Sequence, residues 1–195
     1  MLKSKINSIY VTHDASVVSQ GDILRDFKFI IGGEGHSSIE IEFPYVIILS
    51  QDCDLTWGNN FFNRDTNKPF NQYLHNILLT PAFPADLVRG GEHLKELYDF
   101  VCTKINSDNW KRIKQNNNSR YHYFPADTEM QLPDLLVDFK AYYTIPFGYI
   151  RELYDESYHA TVNELFRERL SQRFANFITR IALPEIPAAI AQQIT

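Results

Sequence analysis

The stretch VIILSQDCDL, residues 46–55, joins an apolar run directly to a polar one. The apolar run, Val46 to Leu49, is too short and too uniformly apolar for an amphipathic surface helix, so it predicts a buried β-strand. Because a core strand holds the turn that follows it rigidly while the side chains of that turn stay accessible, we predict a functional site there. The site would hold an amide, two carboxylates and a thiol, from Gln51, Asp52, Cys53 and Asp54.

More strands are predicted on both sides of this stretch. Residues 38–43 alternate apolar and acidic side chains, the period-two pattern of a half-exposed strand that ends at Pro44. Residues 21–24 predict a turn that enters an earlier strand, and three glycines within residues 32–35 predict a hairpin connection. Residues 76–81 predict a core strand stopped by proline.

Two segments outside these strands are also assigned. A short strand is expected around residues 9–12. The asparagine-rich residues 57–73 show no clear periodicity, so they predict a loop or flap beside the functional site.

The second half of the chain is predicted to begin with helices. Apolar residues at three- and four-residue steps from Leu94 to Ile105, with Cys102 among them as a small core thiol, predict one helix. Ser107 or Asp108 is predicted to cap a second, short helix.

The remainder is predicted to be a strand pair followed by a long helix. Residues 120–125 and 132–139 predict two antiparallel strands, and residues 142–146 close the second. Thr161 with Glu164 forms a capping-box pattern for a helix that ends before Pro184.

Composition limits the classes of protein that fit. The chain has 195 residues, of which 44% are hydrophobic, and no long linker divides it, so one domain spanning residues 1–195 is expected. A formal net charge of -5 argues against non-specific binding of nucleic acid. With two cysteines, no signal-peptide pattern and no membrane-length apolar run, we expect a reduced, cytoplasmic protein without a cofactor.

The order of motifs in the first half resembles the PemK/MazF-like superfamily of small, SH3-like β-barrels. The resemblance rests on GDIL at 21–24, the glycine-rich hairpin, PYVIILSQDCDL at 44–55 and NILLTPAF at 76–83, and it covers roughly the first 83 residues. Two positions depart from the family pattern. Phe43 stands where the family has arginine before the proline, and Ala82 with Phe83 stands where it has small hydroxyl residues, so the ribonuclease residues of the family do not carry over to them.

The resemblance and the residue patterns together give the predicted fold class. We expect a mixed α+β protein with a small, strongly bent antiparallel β-barrel, an added hairpin and packed C-terminal helices. The barrel core would span about residues 17–83, a helical insertion about 84–115, and the added strands with the C-terminal helix about 119–183.

The leading functional hypothesis is a bacterial protein that acts on or binds nucleic acid in a toxin–antitoxin, phage-defence or stress role. As an endoribonuclease it would use Arg120 to stabilise charge on phosphate and His122 to move a proton, beside Cys53 and Asp54. Basic and aromatic residues near this site would bind single-stranded nucleic acid by phosphate contact and stacking. The predicted substrate-binding residues are Gln51, Asp52, Lys111, Arg112, Tyr121 and Tyr123.

Other interpretations of the same residues remain open. Cys53 with His122 as base and Asp138 or Asp54 as its orienting group would make a hydrolase or transferase. Cys53, Asp54 and His122 would offer zinc three ligands, although no metal-site spacing accompanies them. A purely structural reading has Asp52 and Asp54 bonding the backbone of the turn.

The alternative from a different class is a non-catalytic accessory protein that keeps the barrel without the chemistry. Its partner would be a protein such as an antitoxin, and a homodimer is also open. The acidic net charge and the missing arginine and hydroxyl residues favour this alternative.

Overall fold

A computed structural model describes residues 8–31, 39–62 and 73–180 of the chain. Within this part the protein is a mixed α+β structure. Its strands are β1 Tyr10–Val11, β2 Asp22–Ile31, β3 Ile39–Ile48, β4 Asn76–Pro84, β5 Tyr121–Phe124, β6 Leu135–Asp138, β7 Tyr143–Pro146 and β8 Tyr158–Val162. Its helices are α1 Asp52–Phe62, α2 Ala85–Gly90, α3 Lys95–Tyr98, α4 Ser107–Lys114, α5 Phe147–Ser157 and α6 Glu164–Ile178.

The eight strands join one antiparallel sheet in the order β1-β8-β2-β3-β4-β6-β5, and β7 pairs with β4. The end strands β1 and β5 do not pair with each other, so the sheet formed by the described residues is open. The mixed α+β class is confirmed, whereas the predicted barrel is not. Strands from the predicted barrel core and from the segment after the helical insertion share this sheet.

The apolar run that opened the sequence analysis lies at the centre of the sheet, in β3. Val46 and Ile48 belong to the hydrophobic cluster that includes side chains of α1, α2, α4 and α5, whereas Tyr45 and Ile47 belong to the cluster that α6 covers. Both faces of the strand are therefore buried, which is why it is continuously apolar. Each such side chain stabilises the fold by roughly 1.5–3 kcal/mol.

The prolines do not end the strands, contrary to the prediction. β3 continues through Pro44, where Tyr45 pairs with Arg25 and Phe43 pairs with Phe27. The position opposite Pro44 is Asp26, whose φ of 50° lies outside extended geometry. A proline has no N–H to donate, so it is tolerated where the ladder is already interrupted.

Strand β4 likewise runs past Pro81 to Pro84, and its pairing divides there. One side of β4 pairs with β3 at Pro81, while the other pairs with β7 over residues 76–79 and with β6 over residues 82–84. Between these two partners, the Thr80 hydroxyl donates to the Ala141 carbonyl (2.8 Å). The missing N–H of Pro81 thus falls at the junction between two short partners.

Helix α1 occupies the polar run and the beginning of the segment predicted to be a loop. Leu55 is buried, and the buried Asn59 side chain accepts from the Val18 N–H (3.0 Å) and donates to the Val18 carbonyl (2.8 Å). Gly58 lies so close to Phe147 that an added Cβ would stand 2.2 Å from the ring. Tertiary packing therefore overrides the low helix propensity of this sequence.

The long helix predicted across residues 94–105 is largely absent. Only α3 is helical there, and it ends at Asp99, which has a left-handed φ of 53°. Cys102 is half-buried rather than a core residue, and its N–H donates to the Gly91 carbonyl (2.8 Å) in an irregular segment. Asn106, rather than Ser107 or Asp108, caps α4.

The hairpin of β5 and β6 is confirmed, as is a short strand near the N-terminus. Strand β7 pairs with β4 instead of extending the hairpin. The prediction did not include α5 and β8. Because Thr161 lies in β8, the capping box is wrong, and Asn163 caps α6 by accepting from the Glu164 N–H (2.7 Å).

Several predicted features lie outside the described residues: the hairpin at residues 32–35, residues 63–72 of the predicted flap, and the chain after residue 180. Among the helices that the structure describes, none has the length and apolar character needed to cross a membrane.

Candidate functional site

The polar run after β3 begins a helix instead of forming a turn. The Gln51 carbonyl accepts the N–H groups of Asp54 and Leu55 (both 3.0 Å), and Ser50 is held by a bond from the Leu78 N–H to its hydroxyl (2.8 Å). Cys53 and Asp54 therefore lie on the first turn of α1, shortly after the end of β3, and both side chains are exposed. The prediction that this strand end displays its side chains is confirmed.

Cys53 lies beside a small polar cavity between α1 and α6. Its thiol lies 3.7 Å from the Gln51 side-chain oxygen, and both cysteines of the chain are free. The cavity measures about 320 Å³. It is lined by Gln20, Gln51, Asp52, Cys53, Arg167, Glu168 and Ser171.

The Asp52 carboxylate connects α1 to the segment before β2 and to α6. One carboxylate oxygen accepts the Gln20 N–H (2.7 Å), and the other pairs with the Arg167 guanidinium (2.7 Å). Arg167 also donates to the Gln20 carbonyl (3.2 Å), and the Gln20 amide donates to Ser171 (2.8 Å). Asp52 is thus engaged in internal contacts, but with Gln20 and Arg167 and not with the backbone of its own turn, which the structural interpretation expected.

His122 does not line the cavity beside Cys53. It lies on β5, which is separated from β3 by two strands, β4 and β6, and its ring packs against Phe124 (4.6 Å between centroids) and Phe139 (6.3 Å). The residue is 3% exposed. The geometry therefore does not bring His122 to Cys53 as a base, and it does not support the interpretation as a Cys-His-Asp hydrolase.

The surroundings of His122 also keep it uncharged. Burial first, and then the nearby Arg173 and Arg169 guanidinium groups, lower the pKa of His122 to about 3. Its Nδ1 is buried and has no hydrogen-bond partner. A histidine in this state is neutral at physiological pH and closed off from solvent, so it is a poor candidate for proton transfer to RNA.

Arg120 is occupied by an internal ion pair. Its guanidinium donates two bonds to the Asp138 carboxylate, one of them from Nε at 2.8 Å, and this hydrogen bonding raises the pKa of Arg120. The guanidinium also lies 4.8 Å from the centre of the Tyr121 ring. Asp138 orients Arg120 and not His122, and Arg120 is absent from the lining of the Cys53 cavity.

The predicted nucleic-acid contacts divide into free cations and packed aromatic rings. Lys111 and Arg112 are exposed on α4, whose opposite face buries Trp110 and Ile113. Tyr123 is half-buried against Trp110 (6.3 Å between centroids). Tyr121, also half-buried, lies beneath Arg120. The charges are available for phosphate contact, but these rings are not free to stack on bases.

No metal site accompanies these residues. Across residues 8–31, 39–62 and 73–180, no group of three or more histidine, cysteine, aspartate or glutamate side chains is placed to hold a metal ion. Cys53, Asp54 and His122 therefore do not form the three-ligand set that zinc would need.

The sequence analysis missed a buried polar cluster around Asp22. The Asp22 carboxylate is fully buried and accepts four hydrogen bonds: from the Ser19 N–H (2.6 Å), His13 Nε2 (2.8 Å), the Thr161 hydroxyl (2.7 Å) and the Tyr154 hydroxyl. These partners come from the N-terminal segment, β8 and α5. An aspartate entering an apolar strand was the only sequence signal of this cluster.

His13 is charged within this cluster. One ring nitrogen bonds the Asp22 carboxylate and the other bonds the Asp14 carbonyl (2.8 Å). Since both partners are acceptors, both ring nitrogens must carry a proton. The hydrogen bond to Asp22 accordingly raises the pKa of His13. With His13 charged and Asp22 fully bonded, the cluster is an internally satisfied structural unit.

A second feature that the sequence analysis missed is a larger cavity of about 660 Å³ next to β3, here called the acidic groove. Its lining combines an apolar floor, including Ile41, Phe83 and Leu97, with acidic side chains. His93 borders it, is 7% exposed, and packs edge-on against Phe83 (5.2 Å between centroids). Both ring nitrogens of His93 are buried without a hydrogen-bond partner, and burial lowers its pKa.

Comparison with known protein families, with curated proteins and with solved structures finds no match to this chain.

Proposed function

We propose that this protein is a non-catalytic binding protein and not a nuclease. The observation that carries the proposal is the state of the two residues assigned to phosphate chemistry. His122 is buried and its pKa is lowered to about 3, and the Arg120 guanidinium is bound to Asp138. A ribonuclease of the expected kind needs a histidine that exchanges protons near neutral pH and a cation that is free to meet phosphate.

The proposal includes a distant family relationship to the barrel proteins that the sequence resembles. GDIL opens β2, the central apolar run lies in β3, and NILLTPAF lies in β4, and these three strands are consecutive antiparallel neighbours. This order supports a distant, opened-out relative of PemK/MazF-like barrels. As in the expectation from sequence, the protein would serve a cytoplasmic toxin, defence or stress system, as an accessory that binds a protein partner.

A second candidate function is nucleic-acid binding without cleavage. It is favoured by the three exposed cations on α4, Lys111, Arg112 and Lys114. Binding would then depend on phosphate contact alone and would weaken steeply with salt. A filter-binding titration with single-stranded RNA, repeated with the charge-reversal variant Lys111→Glu/Arg112→Glu, distinguishes this candidate, because only an α4-dependent interaction is lost in that variant.

The direct test of the proposal is incubation of purified protein with total RNA. The variants are Cys53→Ala and Asp54→Asn, which alter exposed side chains at the end of β3 and leave the core intact. We expect intact RNA with the wild type and with both variants. RNA degradation that follows the wild-type protein through gel filtration and is lost in either variant would overturn the proposal.

A further inference from the structure

The acidic groove is a cavity that the functional hypotheses leave unexplained. Its volume, about 660 Å³, lies within the range of about 300–1,000 Å³ that is typical of ligand sites. The floor is apolar and the rim carries five carboxylates and one ammonium group, from Asp26, Glu40, Glu42, Glu92, Glu96 and Lys95.

Three of these carboxylates are unpaired. Asp26 pairs with Arg25 (3.2 Å), and Glu40 pairs with Lys28 (3.3 Å). Within the described part of the chain, the side chains of Glu42, Glu92 and Glu96 make no ion pair, and all three are exposed. The rim therefore presents negative charge that the protein itself does not neutralise.

His93 is an unsatisfied polar side chain at the edge of the groove. Buried polar atoms in folded proteins almost always have hydrogen-bond partners, yet both ring nitrogens of His93 have none. The side chain is 7% exposed and borders the groove. Both nitrogen atoms are closed off from solvent, so a ligand in the groove would bond one of them only after the His93 ring turned toward it.

We propose that the acidic groove binds a basic segment of a protein partner, with Lys or Arg side chains interleaved with apolar ones. Long basic side chains combine an apolar stem with a cationic, hydrogen-donating head. The stem fits the floor at Phe83 and Leu97, and the head meets the rim carboxylates. The inference rests on the proposed binding function and names the chemistry of its partner.

The test uses the full chain and a fluorescein-labelled peptide, Leu-Arg-Lys-Leu-Arg-Lys, with Leu-Glu-Asp-Leu-Glu-Asp as the acidic control. Binding is followed by fluorescence anisotropy at 0.05 and 0.5 M NaCl. We expect the basic peptide alone to bind, and the higher salt to weaken its binding. The groove variant Glu42→Gln/Glu92→Gln/Glu96→Gln should raise Kd about tenfold, as expected for the loss of three exposed charge pairs.

Two further variants separate the groove from general electrostatics. The matched control Glu152→Gln/Glu156→Gln/Glu164→Gln removes the same charge from exposed positions outside the groove and should leave Kd within about twofold. His93→Phe keeps a ring without nitrogen atoms and should weaken binding, whereas His93→Gln, which retains an acceptor, should recover part of it. Thermal melting checks that each variant is folded.

The outcomes are decisive for the groove. No binding of the basic peptide, or equal loss of affinity in the groove and control variants, overturns the inference. Displacement of the peptide by spermidine at concentrations below the peptide Kd also overturns it, because the groove would then be a small-amine site. RNA cleavage by the purified protein would contradict the proposed function without altering the peptide result, so the two failures remain distinguishable.

Discussion

Two regions of this protein bury polar side chains, and they do so in opposite ways. Around Asp22 every carboxylate lone pair that faces the interior meets a donor, from Ser19, His13, Thr161 and Tyr154. At the acidic groove, His93 is equally enclosed and both of its ring nitrogens are unpaired.

We interpret this difference as one between a structural cluster and the proposed binding surface. A buried polar group without a partner costs roughly 1–3 kcal/mol, so a fold that leaves one unpaired gains nothing from it internally. The Asp22 cluster joins the N-terminal segment, β2, β8 and α5, and its partners are all within the chain. We therefore expect substitutions there to change stability and substitutions at His93 to change binding.

The strongest way to break this comparison is Asp22→Ala. The substitution leaves the His13 charge and the Thr161 and Tyr154 hydroxyls without their acceptor, so the free energy of unfolding should fall by about 3–5 kcal/mol. Urea denaturation followed by circular dichroism measures it. Glu156→Ala, at an exposed position, is the control and should stay within about 0.5 kcal/mol of wild type. A loss below 1 kcal/mol for Asp22→Ala would contradict the structural role.

His122 extends the comparison to acid pH. Because its folded pKa is about 3 and its unfolded value is about 6.5, only the unfolded chain binds a proton between these values. The His122 contribution to stability should therefore fall by about 1.4 kcal/mol per pH unit as pH drops from about 6 to 4. His122→Phe should remove that slope and leave stability at pH 7 unchanged or higher. Parallel slopes for the two proteins in urea titrations at pH 4, 5, 6 and 7 would show that His122 is not buried in its neutral form.

Tyr154→Phe sharpens the comparison by removing one hydroxyl from the satisfied cluster. The hydroxyl bonds Asp22 and lies 3.0 Å from the Val17 carbonyl, and the ring itself would stay packed. Stability should fall by about 1–2 kcal/mol. Tyr149→Phe, whose hydroxyl bonds the Lys28 carbonyl at an exposed position, is the matched control and should cost under about 0.5 kcal/mol. Equal losses in the two variants would remove the distinction between the buried and exposed bonds.

The smallest effect on stability is expected at His93. His93→Phe removes two buried nitrogen atoms that have no partner among the described residues, so the free energy of unfolding should stay level or rise by about 1 kcal/mol. A loss comparable to that of Asp22→Ala would show that His93 has an internal partner, and the contrast between the two regions would then fail.

Local patterns in the sequence predicted the strands well. The alternating segment and the apolar run of residues 46–48 both lie in β3, as expected. A strand buried on one face alternates apolar and polar residues, and a strand buried on both faces is continuously apolar, so both patterns can be read from the sequence. The predicted short helix after residue 106 is also present as α4, which buries Trp110 and Ile113. Strand ends were less predictable, since Pro44 and Pro81 sit at positions where the pairing needs no proline N–H.

Features that depend on distant residues were not predictable. Helix α1 forms because Asn59 bonds Val18 and Gly58 fits against Phe147, and neither contact is visible in the Asn-rich segment itself. The alternation of β5 placed His122 on one side of a strand, but nothing in that segment showed that aromatic side chains and the arginines of α6 would enclose it. The Asp22 cluster likewise gathers residues from both ends of the chain.

The divided pairing of β4 has a consequence for how the sheet opens. Beyond β4 the sheet continues as two separate four-residue strands, β6 and β7, and not as one long strand. Each pairs with β4 over only three or four residues, so the amides of β7 should exchange with deuterium sooner than those of β3. The edge of β7 is also too short to pair with a strand of another molecule and so start aggregation.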